Sequence, residues 1–111
     1  MKTIKVKNYE PIPRDYTGIV EREDGNKCWL KHGNLHREDG PAYIEPNGYK
    51  SWRLNGNYIW DSYNKLDLTN KIILSKTQRS EYPSVQVWKI LDKNEVYEQV
   101  IIPGMEEFII E

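Results

Sequence analysis

Cysteine is nearly absent from this chain, which removes several possibilities at once. Cys28 is the only one in 111 residues, so no internal disulfide can form and no zinc ribbon can assemble. An excess of one charge is missing too: 16 basic and 17 acidic residues leave a formal net charge of −1. That balance gives no generic attraction to phosphate backbones or anionic membranes, so nucleic acid is not an expected partner. Long hydrophobic runs are also lacking. No stretch approaches the roughly 18 apolar residues of a membrane helix, and the leading segment MKTIKVKNYEPIPRDY has no signal-peptide apolar core. A cytoplasmic protein without a membrane partner is the expectation. Glycines are spread singly and never grouped as G-x-G-x-x-G, which excludes a phosphate-cradling loop of that kind.

What is present argues for a folded chain despite its polarity. Charged residues make up 30% and the mean hydropathy is −0.81, values that alone would permit disorder. Four Trp and eight Tyr say otherwise, because large amphipathic rings can supply the buried area of a thin core. The length suits a single domain, residues 1–111.

Six of the seven glycines fall at 18, 25, 33, 40, 48 and 56, spaced by 7 or 8 residues. Asp24-Gly25, Asp39-Gly40, Asn47-Gly48 and Asn55-Gly56 are pairs that suit hairpin turns. Helices would lose about 1 kcal/mol at each such glycine, whereas strands of about five residues fit between the turns. Two internal registers emerge. An offset of 15 superposes REDG at 22–25 on REDG at 37–40, and an offset of 23 superposes Gly25-x3-Trp29-x3-Gly33-Asn34 on Gly48-x3-Trp52-x3-Gly56-Asn57. The second matches a core-type aromatic as well as turns, and it predicts a hairpin repeat of about 23 residues.

The fold class expected is therefore mainly β: an antiparallel meander of short hairpin repeats over 18–61, capped by a β-rich region over 62–111. Strands are predicted at 3–8, 18–22, 26–31, 41–45, 49–54 and 57–61. Segment 64–78 reads as a short helix or an irregular turn. A C-terminal hairpin is expected from VQVWKIL and VYEQVII around a turn at 92–95, followed by a docked last strand at 107–110.

The run Gly33-Asn34-Leu35-His36-Arg37-Glu38-Asp39-Gly40-Pro41-Ala42, followed by Gly48-x3-Trp52-x3-Gly56, resembles the MORN-like variant repeat of bacterial and phage proteins. The match covers residues 18–60. The second unit carries Ile59-Trp60-Asp61 where the motif would recur, so the array is expected to end near Asp61. The resemblance implies a hairpin scaffold with a protein-interaction role and no catalysis, and it suggests a phage origin, hence a host cytoplasm. It also implies that His36, Arg37, Asp39, Gly40, Asn47, Gly48 and Gly56 are structural turn residues.

Chemistry-bearing residues are few. His32 and His36 form an H-x3-H pair, but Gly33-Asn34 between them removes the helix that would aim both rings at one metal. His36 with the neighbouring carboxylates has the residue types for acid–base work, and Glu23, Asp24, Glu38 and Asp39 have those for a divalent cation. Solvated turns account for the same residues. No catalytic, metal or cofactor site is expected.

The aromatics leave two readings open. Either both faces of the repeat are covered, or one exposes Trp, Tyr and Arg as a partner-binding surface made of Trp29, Tyr49, Trp52, Arg53, Tyr58 and Trp60. The expected function is a non-catalytic protein–protein interaction module, a phage accessory protein that inhibits or modulates a host protein such as a defence factor. The alternatives are a self-assembling virion component and a small metal-dependent hydrolase.

Overall fold

The computed structural model describes all of residues 1–111. Its strands are β1 (Thr3–Val6), β2 (Gly18–Arg22), β3 (Lys27–Lys31), β4 (Asn34–Leu35), β5 (Tyr43–Ile44), β6 (Lys50–Leu54) and β7 (Asn57–Asp61). They are followed by β8 (Leu66–Asp67), β9 (Ile72–Arg79), β10 (Tyr82–Asp92), β11 (Glu95–Ile101), a 3₁₀ turn (Met105–Phe108) and β12 (Ile109–Ile110). The protein is mainly β and rich in antiparallel hairpins, as the glycine rhythm implies. No helix is long and apolar enough to cross a membrane.

The chain divides into two compact units, Met1–Arg37 with Pro41–Tyr63, and Glu38–Gly40 with Asn64–Glu111. The first holds a seven-stranded sheet in the order β1-β2-β3-β5-β6-β7, with β4 also on β3. The 23-residue offset is written into its backbone. Val20 pairs with Cys28 as Tyr43 pairs with Ser51, and Lys31 pairs with Asn34 as Leu54 pairs with Asn57. The Asp24 carboxylate accepts the Asn26 N–H at 2.9 Å, and the Asn47 amide oxygen accepts the Tyr49 N–H at 2.9 Å. His32-Gly33 (φ 49° and 79°) and Asn55-Gly56 (φ 50° and 80°) then close equivalent two-residue hairpins. Both central residues have positive φ, the primed geometry whose twist matches the flanking strands. The 15-residue offset has no such counterpart. Arg22 donates to the carbonyls of Lys7, Asn8 and Glu10, whereas Arg37 lies over a tryptophan ring.

Three expectations need correction in this unit. The first strand ends at Val6, and it runs parallel to β2. A parallel neighbour needs a long return connection, which residues 7–17 provide, tied to β2 by Arg22. The strand expected at 41–45 shrinks to Tyr43–Ile44, because residues 36–42 leave the ladder in an arch. A two-residue strand, Asn34–Leu35, was not anticipated.

In the second unit β11, β10 and β9 form a three-stranded antiparallel sheet, and β12 pairs in parallel with β8. The helix or irregular turn considered for 64–78 is instead strand over most of its length. Leu74 is a β-bulge, since Ile73 faces Ile90 while Ser75 faces the adjacent Lys89. This extra residue breaks the apolar–polar alternation that would mark a strand. The expected last strand at 107–110 is a 3₁₀ turn followed by Ile109–Ile110. Val85, Ile90, Ile102 and Met105 are almost wholly buried.

The backbone demands at two glycines differ enough to be measured. A Cβ at Gly33 would collide with the Arg14 carbonyl oxygen, whereas one at Gly48 meets nothing within 4 Å, although both residues have positive φ. Gly48→Ala is expected to cost about 1 kcal/mol and Gly33→Ala about 3 kcal/mol or more. Urea denaturation of the two variants checks this; equal losses would contradict the close approach.

Candidate functional site

Register assigns the side chains of the first unit to two faces, because directly opposed residues in an antiparallel ladder point the same way. One row runs Val20, Cys28, Tyr43, Ser51 and Asp61. Trp52 and Trp60 oppose each other on the other face. Between these rows β7 carries a bulge: Trp52 pairs with Trp60, but Arg53 pairs with Tyr58, leaving Ile59 unpaired. In a regular strand Tyr58 and Trp60 would share a face. The bulge puts them on opposite ones.

The six residues considered as a partner-binding surface are thereby divided. Trp52 has 0% exposure and Trp29 9%, so neither is available to a partner. Trp60, half-buried, lies on their face. Cations lie over Trp29: the Arg37 guanidinium carbon sits 4.0 Å from the ring centroid and the Lys27 Nζ 5.1 Å. Arg37 is held there by a bond from Nη1 to the Pro41 carbonyl, 3.2 Å. This corrects the reading of Trp29 and Trp52 as surface anchors, while half-buried Trp60 stands on the face opposite Tyr49, Arg53 and Tyr58.

Tyr49, Arg53 and Tyr58 share the other face, where Arg53 meets Tyr58 and lines a concavity together with Tyr49. The Arg53 guanidinium carbon lies 5.3 Å from the Tyr58 ring centroid, its Nε donates to Ser51 Oγ at 3.1 Å, and Nη1 donates to the Gly56 carbonyl. Tyr49 stands between two further rings, Tyr43 at 6.2 Å in an edge arrangement and Tyr63 at 4.7 Å. Leu35, Tyr43, Tyr49, Ser51 and Arg53 line an open concavity of about 230 Å³. Tyr58 is 48% exposed and Tyr63 78%. Burial, with Glu45 and Asp24 nearby, pushes the Tyr43 phenol above its ordinary value, so it stays a neutral hydroxyl. Sequence reasoning missed Tyr43 and Tyr63; the 23-residue offset, which aligns Tyr43 with buried Val20, was the available signal.

The other chemistry-bearing residues do not assemble. His36 is 6% exposed, and its Nδ1 accepts the Asn55 N–H at 2.8 Å, which ties the arch to the second hairpin turn. His32 is at the surface, its Nδ1 3.2 Å from Asp15 Oδ1. The two rings thus engage different partners. No three His, Cys, Asp or Glu side chains lie close enough together to hold a metal ion. Gly40 is buried in a bend, while Asn47 and Gly48 sit at an exposed turn. Cys28 is half-buried, and desolvation pushes its thiol above the ordinary value, with Arg22 opposing weakly.

Comparison with protein-family models, curated proteins and solved structures finds no match to this chain.

Two outcomes follow from these geometries. His36→Ala leaves the Asn55 N–H without its acceptor and is expected to cost about 1–3 kcal/mol in thermal or urea unfolding. His36→Asn, with an amide oxygen at the same reach, recovers part of that; no loss in either variant would show the bond to be idle. For Cys28, the raised pKa means that the unfolded chain loses the thiol proton first as pH rises. Stability from this group is intact below the ordinary thiol value of about 8.5 and falls above it. Native Cys28 should accordingly be alkylated by iodoacetamide far more slowly at pH 8 than the urea-unfolded chain, and equal rates would contradict the shift.

Proposed function

We propose that this protein is a non-catalytic protein-interaction module of the MORN-like variant type, a phage accessory protein that binds and modulates a host protein in the host cytoplasm. The observation that carries this reading is one face of the first sheet on which the Tyr43, Tyr49 and Tyr63 rings contact one another, Arg53 meets Tyr58, and Tyr43, Tyr49 and Arg53 line one concavity. Tyr and Arg dominate the energetics of protein interfaces: the rings bring contact area at low entropic cost, and the guanidinium brings directional hydrogen bonds. The rings brace one another and Arg53 is braced by Ser51, Gly56 and Tyr58, so less side-chain freedom remains to be lost on binding. The hairpin repeat and the H-R-x-D-G-P-A motif support the scaffold part of the reading, and the motif's resemblance alone supports the phage setting.

Affinity capture from host lysate tests it. The wild-type chain is expected to retain one stoichiometric partner. Tyr49→Ala and Tyr58→Ala should each weaken that complex by about 30-fold or more, as hot-spot truncations of about 2 kcal/mol do. Capture unaffected by both substitutions, or concentration-dependent self-assembly without a partner, would overturn it; the second result would favour the virion-component reading.

A further inference from the structure

The Tyr–Arg face is electrostatically lopsided in a way that constrains what it can hold. Arg53 is part-buried, and its donors are engaged only by neutral acceptors, the Ser51 hydroxyl and the Gly56 carbonyl, with the Tyr58 ring centroid 5.3 Å from its guanidinium carbon. The carboxylate on the same face, Asp61, is committed elsewhere. Its Oδ2 accepts from the Tyr58 hydroxyl at 3.2 Å and its Oδ1 from the Tyr63 N–H at 3.0 Å. Arg53 is therefore a pre-positioned cation without a carboxylate partner, opening on the concavity floored by Tyr43 and Tyr49. At the Tyr43 end the field has the opposite sign, because Glu45 and Asp24 act on that phenol.

We infer that this concavity receives a single Asp or Glu side chain of the partner protein. The carboxylate pairs with Arg53, and an adjoining aliphatic or proline residue lies on Tyr49 and Tyr43. The inference rests on the interaction-module reading above and names the chemistry of its partner. A guanidinium whose plane is already fixed matches a planar carboxylate with two parallel N–H···O bonds and loses little freedom in making them. The tyrosine rings beside it offer flat apolar surface with hydroxyls at the rim, which suits a segment whose backbone must stay hydrogen-bonded. Arg53 is the one cationic side chain lining the concavity, so it offers a partner to one acid and none to the further charges of a polyanion. One acid in an otherwise uncharged segment matches that lining better than a nucleic-acid strand does.

Selection from a displayed random 12-residue peptide library on the immobilised full-length protein tests this. The expected consensus holds one Asp or Glu at a fixed position beside Pro or an aliphatic residue. In solution, Glu→Gln in a synthetic consensus peptide should weaken binding at least tenfold. Arg53→Gln in the protein should do the same, and the two changes together should weaken it little further. The peptide change needs no refolding of the protein, so it reads the contact even if Arg53→Gln is destabilised; Arg53→Lys, which keeps the charge and loses the fork, should lie between. A consensus without a carboxylate, additive losses, or no enriched peptide would overturn the inference. Failure here is separable from failure of the module itself. If Tyr49→Ala and Tyr58→Ala abolish capture of the cellular partner while Arg53→Gln does not, the surface stands and the acidic anchor falls.

Discussion

One unpaired residue, Ile59, decides which side chains of the second hairpin face solvent together. A β-strand presents alternate residues to opposite faces, so any inserted residue reverses every side chain beyond it. Here the insertion lies between Tyr58, opposite Arg53, and Trp60, opposite Trp52. It separates a hydroxylated ring that tolerates water from an indole that belongs with the buried tryptophans. Without it, Trp60 would stand beside Arg53 on the open face.

The repeat supplies the complementary half of the design. Both copies use the same turns and the same cross-strand pairs, yet equivalent positions carry different chemistry. Val20 and Leu30 of the first copy are buried at 0% and 6% exposure. Their counterparts 23 residues later are Tyr43 and Arg53, half-buried and polar at the tip. The Trp29 and Trp52 positions are kept in both. A conserved scaffold geometry thus leaves one copy to build core and the other to build surface. Tryptophan burial in the first copy is completed in part by Lys27 and Arg37, which lay their cationic groups over the ring.

Much of this was legible in the sequence where local chemistry decides. Asp24-Gly25, Asn47-Gly48 and Asn55-Gly56 located turns, and Gly25/Gly48 with Trp29/Trp52 gave the repeat length, since φ > 0 and ring burial are demands of single residues; Asp39-Gly40 makes no hairpin and lies in a bend of the arch. What could not be read depends on partners far away or on broken period. The parallel pairing of Thr3–Val6 rests on a connection held by Arg22 through three backbone carbonyls, all of them distant from Arg22 in sequence. Ile72–Arg79 looked ambiguous because the bulge at Leu74 interrupts its alternation. Trp29 and Trp52 proved buried, and Trp60 lies on a different face from the tyrosines, for a related reason: composition marks aromatics as interface-formers, but only register, including the Ile59 bulge, says which face each takes.

The face assignment can be tested directly by nuclear Overhauser contacts across β6 and β7 in the isotope-labelled protein. The bulged register predicts cross-strand backbone contacts between Trp52 and Trp60 and between Arg53 and Tyr58, with Ile59 lacking a partner of its own. Regular pairing continued from the Leu54–Asn57 turn, which would place Ile59 opposite Trp52 and Trp60 opposite Ser51, would contradict it by bringing Trp60 onto the face of Arg53.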